Sequence, residues 1–362
     1  MGQEFCKRCG YPLGRRPRLY EKDGLCGACI NDDIKKTIDW KARQNQLNEI
    51  IKSSHSDCEY SAVIAISGGK DSTMIVKRLV ENHGLKNPLL VTCADPFTMT
   101  ETGRANIRNI AEHFDLDLIT YQYRPKTAKQ EILRDFEEKL NPMMVFEDRL
   151  SGPDAFPIQV AKNFGIPLVF YGENGPFEYG NEGATELPIF HPASDDKTKV
   201  IWLCSIYPYS IMDSLNEARE VGFKDLDENN HEWDRVGQIE NYTQIDSYGY
   251  LVHQWTKYVK FGAQRVADIA CRLAREGVLT RDQAILLTNT NDHLCDPKAK
   301  RDFCHSLGIT EEFFDNVVEK HVNKDVVDKD IDGNWKRKDL FFNSRKSKKK
   351  IYNGTLRLSF VI

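Results

Sequence analysis

The stretch that decides the fold reads Val63-Ile64-Ala65-Ile66-Ser67-Gly68-Gly69-Lys70-Asp71-Ser72. An apolar run of strand character leads directly into two glycines, and apolar pairs at helical i, i+4 spacing follow. A strand, a glycine-rich turn and a helix in this order direct several backbone N–H groups and a helix N-terminus at one anion. The stretch therefore predicts a phosphate-binding loop. The alternative is an ordinary turn capped by Asp71 or Ser72.

Three more apolar runs, at residues 89–93, 116–121 and 168–171, alternate with helical stripes. This alternation is typical of βα units and a parallel sheet. The predicted fold class is α/β, with a Rossmann-like parallel sheet, a small N-terminal module and a helical C-terminal region. The predicted division is a cysteine module at 1–33, the nucleotide-binding domain at 34–180, a partly helical substrate or partner region at 181–330, and a basic tail at 331–362.

Polar motifs follow the predicted strands where a ligand of a parallel sheet binds, beyond their carboxyl ends. Asp95 follows the second strand, and Gly172, Glu173 and Glu178 follow the fourth. Two carboxylates between glycines suit Mg²⁺ on phosphate oxygens, so Glu173 and Glu178 are magnesium candidates. The alternatives are a turn-forming Asp before Pro and a solvated loop.

The cysteines are unevenly distributed, with two Cys-x-x-Cys pairs in the first 29 residues, Cys6/Cys9 and Cys26/Cys29. Each pair places two thiolates on one tight turn, and two pairs complete a tetrahedral site. Zinc is the predicted metal, and rubredoxin-like iron or a redox dithiol are the alternatives. So short a module cannot bury enough apolar surface to fold without the metal.

Composition excludes several classes of protein. The chain has 362 residues, 40% hydrophobic and 29% charged, with no apolar run near the roughly 20 residues that cross a bilayer. With no signal-like segment at the start, we expect a cytoplasmic protein. The net charge is −4, and residues 336–350 hold eight basic residues against one acidic residue, so the rest of the chain carries −11. An acidic body of this kind argues against a nucleic-acid-wrapping domain. The basic run is either a phosphate-contacting tail or solvated and disordered.

The loop Ser-Gly-Gly-x-Asp-Ser resembles the PP-loop of ATP pyrophosphatases such as GMP synthetase and argininosuccinate synthetase. The resemblance implies that ATP is cleaved between its α and β phosphates and that AMP passes to a substrate oxygen. It also implies that Asp71 positions pyrophosphate or its magnesium, while Lys70 has an auxiliary electrostatic role. The ATP-binding candidates are Ala65, Ser67, Gly68, Gly69, Lys70, Asp71, Ser72, Asp95 and Gly172.

Over residues 5–330 the chain resembles the N-acetyl sugar amidotransferases of bacterial surface-glycan pathways. The motifs that carry this resemblance are the cysteine pairs, the PP-loop, Gly-Glu-Asn-x-x-x-Glu-Tyr-Gly at 172–180, Lys-Phe-Gly at 260–262 with Arg265, and Leu-Thr-Arg at 279–281. Such enzymes turn an N-acetyl group of an activated or acidic sugar into an acetamidino group. By this position and by charge, Lys260 and Arg265 are catalytic candidates at the start of a helix, meeting a phosphate or carboxylate. The alternative is surface basic residues on an amphipathic helix.

One departure and two alternatives remain. Ala267-Asp268-Ile269-Ala270 stands where relatives more often carry Asp-His-x-Ser, so His253 or another residue must replace that histidine, or the substrate differs. A PP-loop tRNA sulfurtransferase is the alternative function, but no Cys-x-x-Cys follows residue 29. A zinc-bearing adaptor with a degenerate nucleotide domain is the non-enzymatic alternative.

Ammonia is expected to come from outside this chain. Position 2 is Gly2, and the single cysteines do not lie on a glycine-flanked elbow of the kind that a glutaminase nucleophile needs. The family resemblance implies a separate glutaminase and cyclase-like pair as the partner.

Overall fold

The N-terminal segment folds around short turns. The computed structural model describes residues 3–17, 19–54, 57–93, 97–152, 155–172, 174–181 and 184–343. A two-stranded antiparallel ribbon, β1 (Glu21–Lys22) and β2 (Leu25–Cys26), leads into α1 (Gly27–Lys35). Helix α2 (Trp40–Ser53) follows and begins at Asp39, whose side chain accepts from the Ala42 N–H.

Within the described residues, five parallel strands form the central sheet. They are β3 (Val63–Ala65), β4 (Leu89–Cys93), β5 (Leu118–Tyr121), β6 (Leu168–Tyr171) and β7 (Lys199–Trp202), in the order β5-β4-β3-β6-β7. Strand β3 pairs with β4 on one side and β6 on the other, which places the phosphate loop near the centre of the sheet edge. The predicted parallel sheet is confirmed. It continues past residue 180, because β7 at 199–202 pairs with β6.

Helices connect the strands and cover both faces of the sheet. They are α3 (Lys70–Lys77), α4 (Glu101–Phe114), α5 (Pro125–Lys139), α6 (Met144–Ser151), α7 (Phe156–Phe164) and the short α8 (Gly175–Glu178). Ile64 of β3 lies in the apolar cluster of one face, and Val63 and Ala65 lie in the cluster of the other. Burial on both faces explains why these strands read as continuous apolar runs.

The remainder is mainly helical and builds a third apolar cluster. Its helices are α9 (Ile211–Glu220), α10 (Tyr248–Phe261), α11 (Arg265–Arg275), α12 (Arg281–Asn291), α13 (Pro297–Leu307) and α14 (Glu311–His321). A capping box between Thr280 and Gln283 begins α12. The four cysteines of the N-terminal module belong to the same cluster as α10 and α11, so the module and the C-terminal helices share one core.

The chain ends, within the described residues, with a hairpin and a short helix. The elements are β8 (Val327–Lys329), β9 (Trp335–Arg337) and α15 (Lys338–Asn343). Arg337 is almost fully buried and its Nη2 donates to Asn289 Oδ1 at 2.7 Å. The interpretation of residues 336–350 as a solvated tail is therefore wrong at its start, and residues 344–362 lie outside the described part. Among the residues that the structure describes, no helix is long and apolar enough to span a bilayer.

Candidate active site

The phosphate loop occupies the turn between β3 and α3. Gly68 has φ +86°, and a Cβ there would lie 2.5 Å from the Gly103 carbonyl oxygen, so only glycine fits. The Ser72 hydroxyl donates to the Gly69 carbonyl at 2.9 Å and accepts from the Ser67 N–H at 3.3 Å. These bonds hold the loop closed at the N-terminus of α3, the geometry that attracts an anion.

Asp71 and Lys70 form a compact polar group with Tyr209. Lys70 Nζ lies 2.6 Å from Asp71 Oδ1 and 3.1 Å from Tyr209 Oη, and Tyr209 donates to Asp71 Oδ1 at 3.0 Å. Burial alone would raise the pKa of Asp71, but Lys70, Arg272 and the Tyr209 hydroxyl outweigh it and lower that pKa. Asp71 is therefore charged at neutral pH. The Lys70 side chain is only 1% exposed and so acts from within the protein.

A cavity of about 940 Å³ opens in front of the loop. This volume is at the upper end of the roughly 300–1,000 Å³ of small-molecule sites. The loop side of its lining includes Ala65, Ser67, Asp71, Ser72 and Gly172. Most of the predicted ATP-binding residues thus lie in one wall. Asp95 and Glu173 fall outside the described residues.

An aromatic group forms another part of the cavity wall. Tyr171, His191 and Trp202 lie together, with ring centroids 4.9 to 6.0 Å apart. Tyr171 and Trp202 are the last residues of neighbouring strands, which explains their adjacency. His191 Nδ1 accepts from the Ala193 N–H at 2.9 Å. The sequence did not single out this histidine. His253, one of the possible replacements for the family's histidine, is fully buried and does not line the cavity.

A polar group from the C-terminal region completes the cavity. Its members in the lining are Gln244, Asp246, Ser247, Tyr250, Gln254, Lys257, Arg265 and Asp268. Arg265 opens α11, as predicted, and its Nη1 donates to Tyr179 Oη at 3.1 Å. The sequence predicted Arg265 alone of this group.

Gln244 has an unusual backbone, with φ +52°, in the left-handed region that costs a non-glycine residue energy. A buried ion pair beside it holds this loop in place. The Glu240 carboxylate accepts from the N–H groups of Tyr242 and Thr243, and Arg235 Nη2 donates to the Thr243 carbonyl at 2.6 Å. The strain at Gln244 is thus supported by the structure around it.

Two predicted site residues lie elsewhere. Lys260 is in the last turn of α10 and does not line the cavity. Its Nζ donates to the Leu140 carbonyl at 2.6 Å, at the end of α5, where it satisfies a helix C-terminus. Burial lowers the pKa of Lys260 to about 8, with a further contribution from Lys257. The structure therefore places Lys260 outside the cavity and assigns its ammonium to the end of a helix, which does not support the predicted catalytic role.

Glu178 also has a different role. Its carboxylate lies 2.6 Å from Lys35 Nζ of α1 and 3.9 Å from Arg272 Nη2, in a small separate pocket. These two cations face its charge. The structure thus places Glu178 away from the phosphate loop and gives it a different set of partners from the one that the magnesium hypothesis predicts. Asp71 remains a candidate, since both of its bonds to Lys70 and Tyr209 use Oδ1, and Mg²⁺ on phosphates often needs only one or two carboxylates.

The four N-terminal cysteines form a compact cluster. Their Sγ atoms lie within 4.8 Å of one another, with Cys6–Cys29 at 3.7 Å and Cys9–Cys26 at 3.6 Å. Zn–S bonds of about 2.3 Å in a tetrahedron imply S–S edges of about 3.8 Å, so the donor set fits zinc. The Cys26 N–H also donates to Cys6 Sγ at 3.4 Å. Side-chain hydrogen bonding with Cys26 and Cys29 lowers the pKa of Cys6 to about 6.

Comparison with known proteins identifies the C-terminal region. Residues 236–341 match the family model of the C-terminal domain of WbpG-like LPS biosynthesis proteins. An uncharacterized protein of Methanocaldococcus jannaschii is 29% identical over 101 residues, and this match covers 28% of the present chain and 35% of that protein.

Two solved structures are partly similar. Phosphoadenylyl-sulfate reductase from Candida auris, in a phosphate complex, is 12% identical with a TM-score of 0.34, over 57% of this chain and 90% of that chain. The NH3-dependent NAD synthetase from Campylobacter jejuni is also 12% identical with a TM-score of 0.34, over 78% of this chain and 95% of that chain.

The matched region supplies the polar group of the cavity wall, and the parallel sheet supplies the phosphate loop opposite it. Over residues 236–341, the family match agrees with the resemblance to surface-glycan proteins predicted from the sequence. The chain is thus an α/β protein with a parallel sheet, and its residues 236–341 match the C-terminal domain of WbpG-like LPS biosynthesis proteins.

Proposed function

We propose that this chain is an ATP-dependent amidotransferase, forming AMP and pyrophosphate, that converts the N-acetyl group of an activated or acidic sugar into an acetamidino group during surface-glycan synthesis. One observation carries the proposal. The phosphate loop and the WbpG-like region line the same cavity of about 940 Å³. A nucleotide at the loop would therefore meet a second molecule held by that region.

The proposed reaction begins at the α phosphorus of ATP. The acetamido carbonyl oxygen attacks that phosphorus, the bond to the β-phosphate oxygen breaks, and pyrophosphate leaves. Ammonia then adds to the imidate carbon, and AMP departs with the former carbonyl oxygen. The acetamidino group remains after loss of a proton to solvent or a nearby base. An amide needs this activation because its oxygen is otherwise a poor leaving group.

The loop residues favour the first step electrostatically. The N–H groups of the loop and the Ser67 and Ser72 hydroxyls are placed to bind pyrophosphate, whose charge grows as the bond breaks. Lys70 adds a buried positive charge close to the loop. Mg²⁺, when held by Asp71 and the phosphate oxygens, would neutralise part of the phosphate charge.

The second wall offers groups suited to a sugar. Arg265 and Lys257 suit a carboxylate or phosphate of the substrate, and Gln254 and Tyr250 can bond hydroxyl groups. The ammonia source is part of the proposal: a separate glutaminase partner delivers it.

The test uses the full-length protein with Mg-ATP, ammonium at raised pH, and a panel of nucleotide-activated and acidic N-acetyl sugars. We expect AMP and pyrophosphate in equal amounts with an acetamidino product for at least one sugar. Formation of ADP would overturn the PP-loop chemistry. Turnover with glutamine in the absence of a second protein would contradict the proposal that a separate glutaminase supplies the ammonia.

A further inference from the structure

The four-cysteine module extends into the cavity wall. Arg16 lies between the two cysteine pairs in sequence, and its side chain lines the cavity although it is only 20% exposed. Its Nη1 donates to Asp268 Oδ1 at 2.8 Å, and its guanidinium carbon lies 5.3 Å from the centre of the Tyr179 ring. A residue of the module is therefore fixed against the WbpG-like region.

Tyr179 connects this arginine to the site. Arg272 packs its guanidinium 5.4 Å from the centre of the same ring, and Arg265 donates to the Tyr179 hydroxyl at 3.1 Å. Cation–π contacts and a hydrogen bond thus hold one aromatic ring among three guanidinium groups. Tyr179 therefore links Arg16 of the module to Arg265 in the cavity wall.

The module also holds the backbone on which Tyr179 lies, residues 174–181. The Tyr20 N–H donates to the Gly180 carbonyl at 3.0 Å, and a Cβ on Gly27 would lie 2.3 Å from that same oxygen. Asn31 Nδ2 donates to the Phe177 carbonyl at 2.8 Å. Two backbones in direct contact, with glycine on both sides, leave this segment little room to move independently of the module.

We propose that Arg16 is a positioning residue for the sugar side of the cavity, and that the four-cysteine module shapes that side through Arg16 and residues 174–181. The term sugar rests on the proposed function, whereas the coupling of the module to residues 174–181 does not. The module is thereby a part of the active site and more than a separately folded appendage. The phosphate loop has its own support in β3 and α3, so ATP binding should be largely independent of Arg16.

The test compares Arg16→Gln and Arg16→Lys with Arg15→Gln in the full-length protein. Arg15 is the matched control, because it neighbours Arg16, pairs with Asp339 at 3.8 Å and does not line the cavity. Each variant is measured for zinc content, for hydrogen exchange of the peptide spanning residues 174–181, and for the KM of ATP and of a sugar substrate found by the panel.

For Arg16→Gln we expect full zinc content and exchange of residues 174–181 faster by about tenfold, the effect of losing one charge-assisted contact of roughly 1.4 kcal/mol. The KM of the sugar should rise by a similar factor while that of ATP stays within about twofold. Arg16→Lys should recover part of both effects because it keeps the charge facing Asp268. Arg15→Gln should behave like the unaltered protein.

Two results would overturn the proposal. One is an unchanged rate of hydrogen exchange at residues 174–181 in Arg16→Gln, and the other is an equal rise in the KM values of ATP and of the sugar. If Arg16→Gln loses zinc or fails to fold, Arg16→Lys decides, and wild-type exchange and KM values in that variant count against the proposal. If no sugar in the panel supports AMP release by the wild type, the proposed function fails. The exchange measurement still decides the coupling in that case.

Discussion

The phosphate loop and the four-cysteine module are both packed against the rest of the protein, but by different means. The loop follows β3, whose residues Val63, Ile64 and Ala65 are buried between apolar clusters on the two faces of the sheet. The module has little apolar surface of its own, and its cysteines join the cluster of the C-terminal helices. The loop's shape should therefore be independent of metal, whereas we expect the module's shape to depend on docking and on a metal held by its cysteines. Damage to the two regions should be separable by experiment.

The largest expected effect is on the phosphate-loop side. Asp71→Asn removes the charge that faces Lys70 while keeping the size of the side chain. We expect AMP formation to fall by at least about 100-fold, the usual cost of removing a key electrostatic group. The zinc content should stay unchanged. Because the pKa of Asp71 is lowered, its pairing stabilises the protein above the ordinary carboxyl pKa and is lost as pH falls through the lowered value.

A matched control for that variant is Asp213→Asn, since Asp213 also lies in the first turn of a helix but is absent from the cavity lining. It should retain near-normal turnover. Similar losses in the two variants would show that the Asp71 effect is one of general stability.

The complementary change removes a cysteine ligand. Cys26→Ser should lower the zinc content from about one per chain toward zero, since a structural site requires its complete ligand set. Limited proteolysis should then cut within residues 1–35 while the sheet still unfolds cooperatively. Cys58→Ser, at a cysteine outside the cluster, is the control and should keep its zinc. Retention of tightly held zinc by Cys26→Ser would contradict the assignment.

The features that the sequence predicted are formed by residues close together in the chain. Residues 63–72 form strand, loop and helix within ten positions, and the two cysteine pairs each lie on a single turn. Local spacing is enough for both, because their chemistry depends on near neighbours. Arg265 was predicted from its family position and does line the cavity.

The residues that were missed or misassigned depend on contacts between distant segments. Lys260 meets the end of α5 some 120 residues earlier, and Glu178 meets Lys35 of α1. Tyr209 reaches Asp71 across 138 positions. Charge and family position alone cannot show which cation or carboxylate is already paired in the folded chain. Arg16 was missed for the same reason, since nothing near it in sequence indicates the Asp268 contact.

A pH experiment tests the helical region whose apolar core includes the four cysteines of the module. Burial, aided by Lys336, lowers the pKa of His293 to about 4. The unfolded chain therefore binds more protons than the folded chain between about pH 6.5 and 4, so the stabilisation present above 6.5 is lost as pH falls to 4. Urea unfolding measures the free energy of unfolding at each pH. Between pH 6.5 and 4 that free energy should fall by about 2–3 kcal/mol less in His293→Asn than in the wild type. Parallel pH profiles would contradict this prediction.

The smallest effect is expected at the residue whose role the structure changed. Lys260→Met should keep turnover and the KM for ATP within about twofold, because its ammonium caps α5 outside the cavity. Stability should fall by about 1 kcal/mol through the lost bond to the helix end. A large loss of turnover at unchanged stability would restore the catalytic interpretation.

The most direct measurement of the central claim follows the oxygen of the N-acetyl group. A sugar substrate carrying heavy oxygen in its acetyl carbonyl is incubated with the full-length protein, Mg-ATP and ammonium, and the products are weighed by mass spectrometry. We expect the label in AMP and none in pyrophosphate, because the carbonyl oxygen attacks the α phosphorus and leaves the sugar as part of AMP. Label in water or in inorganic phosphate, with AMP unlabelled, would contradict it.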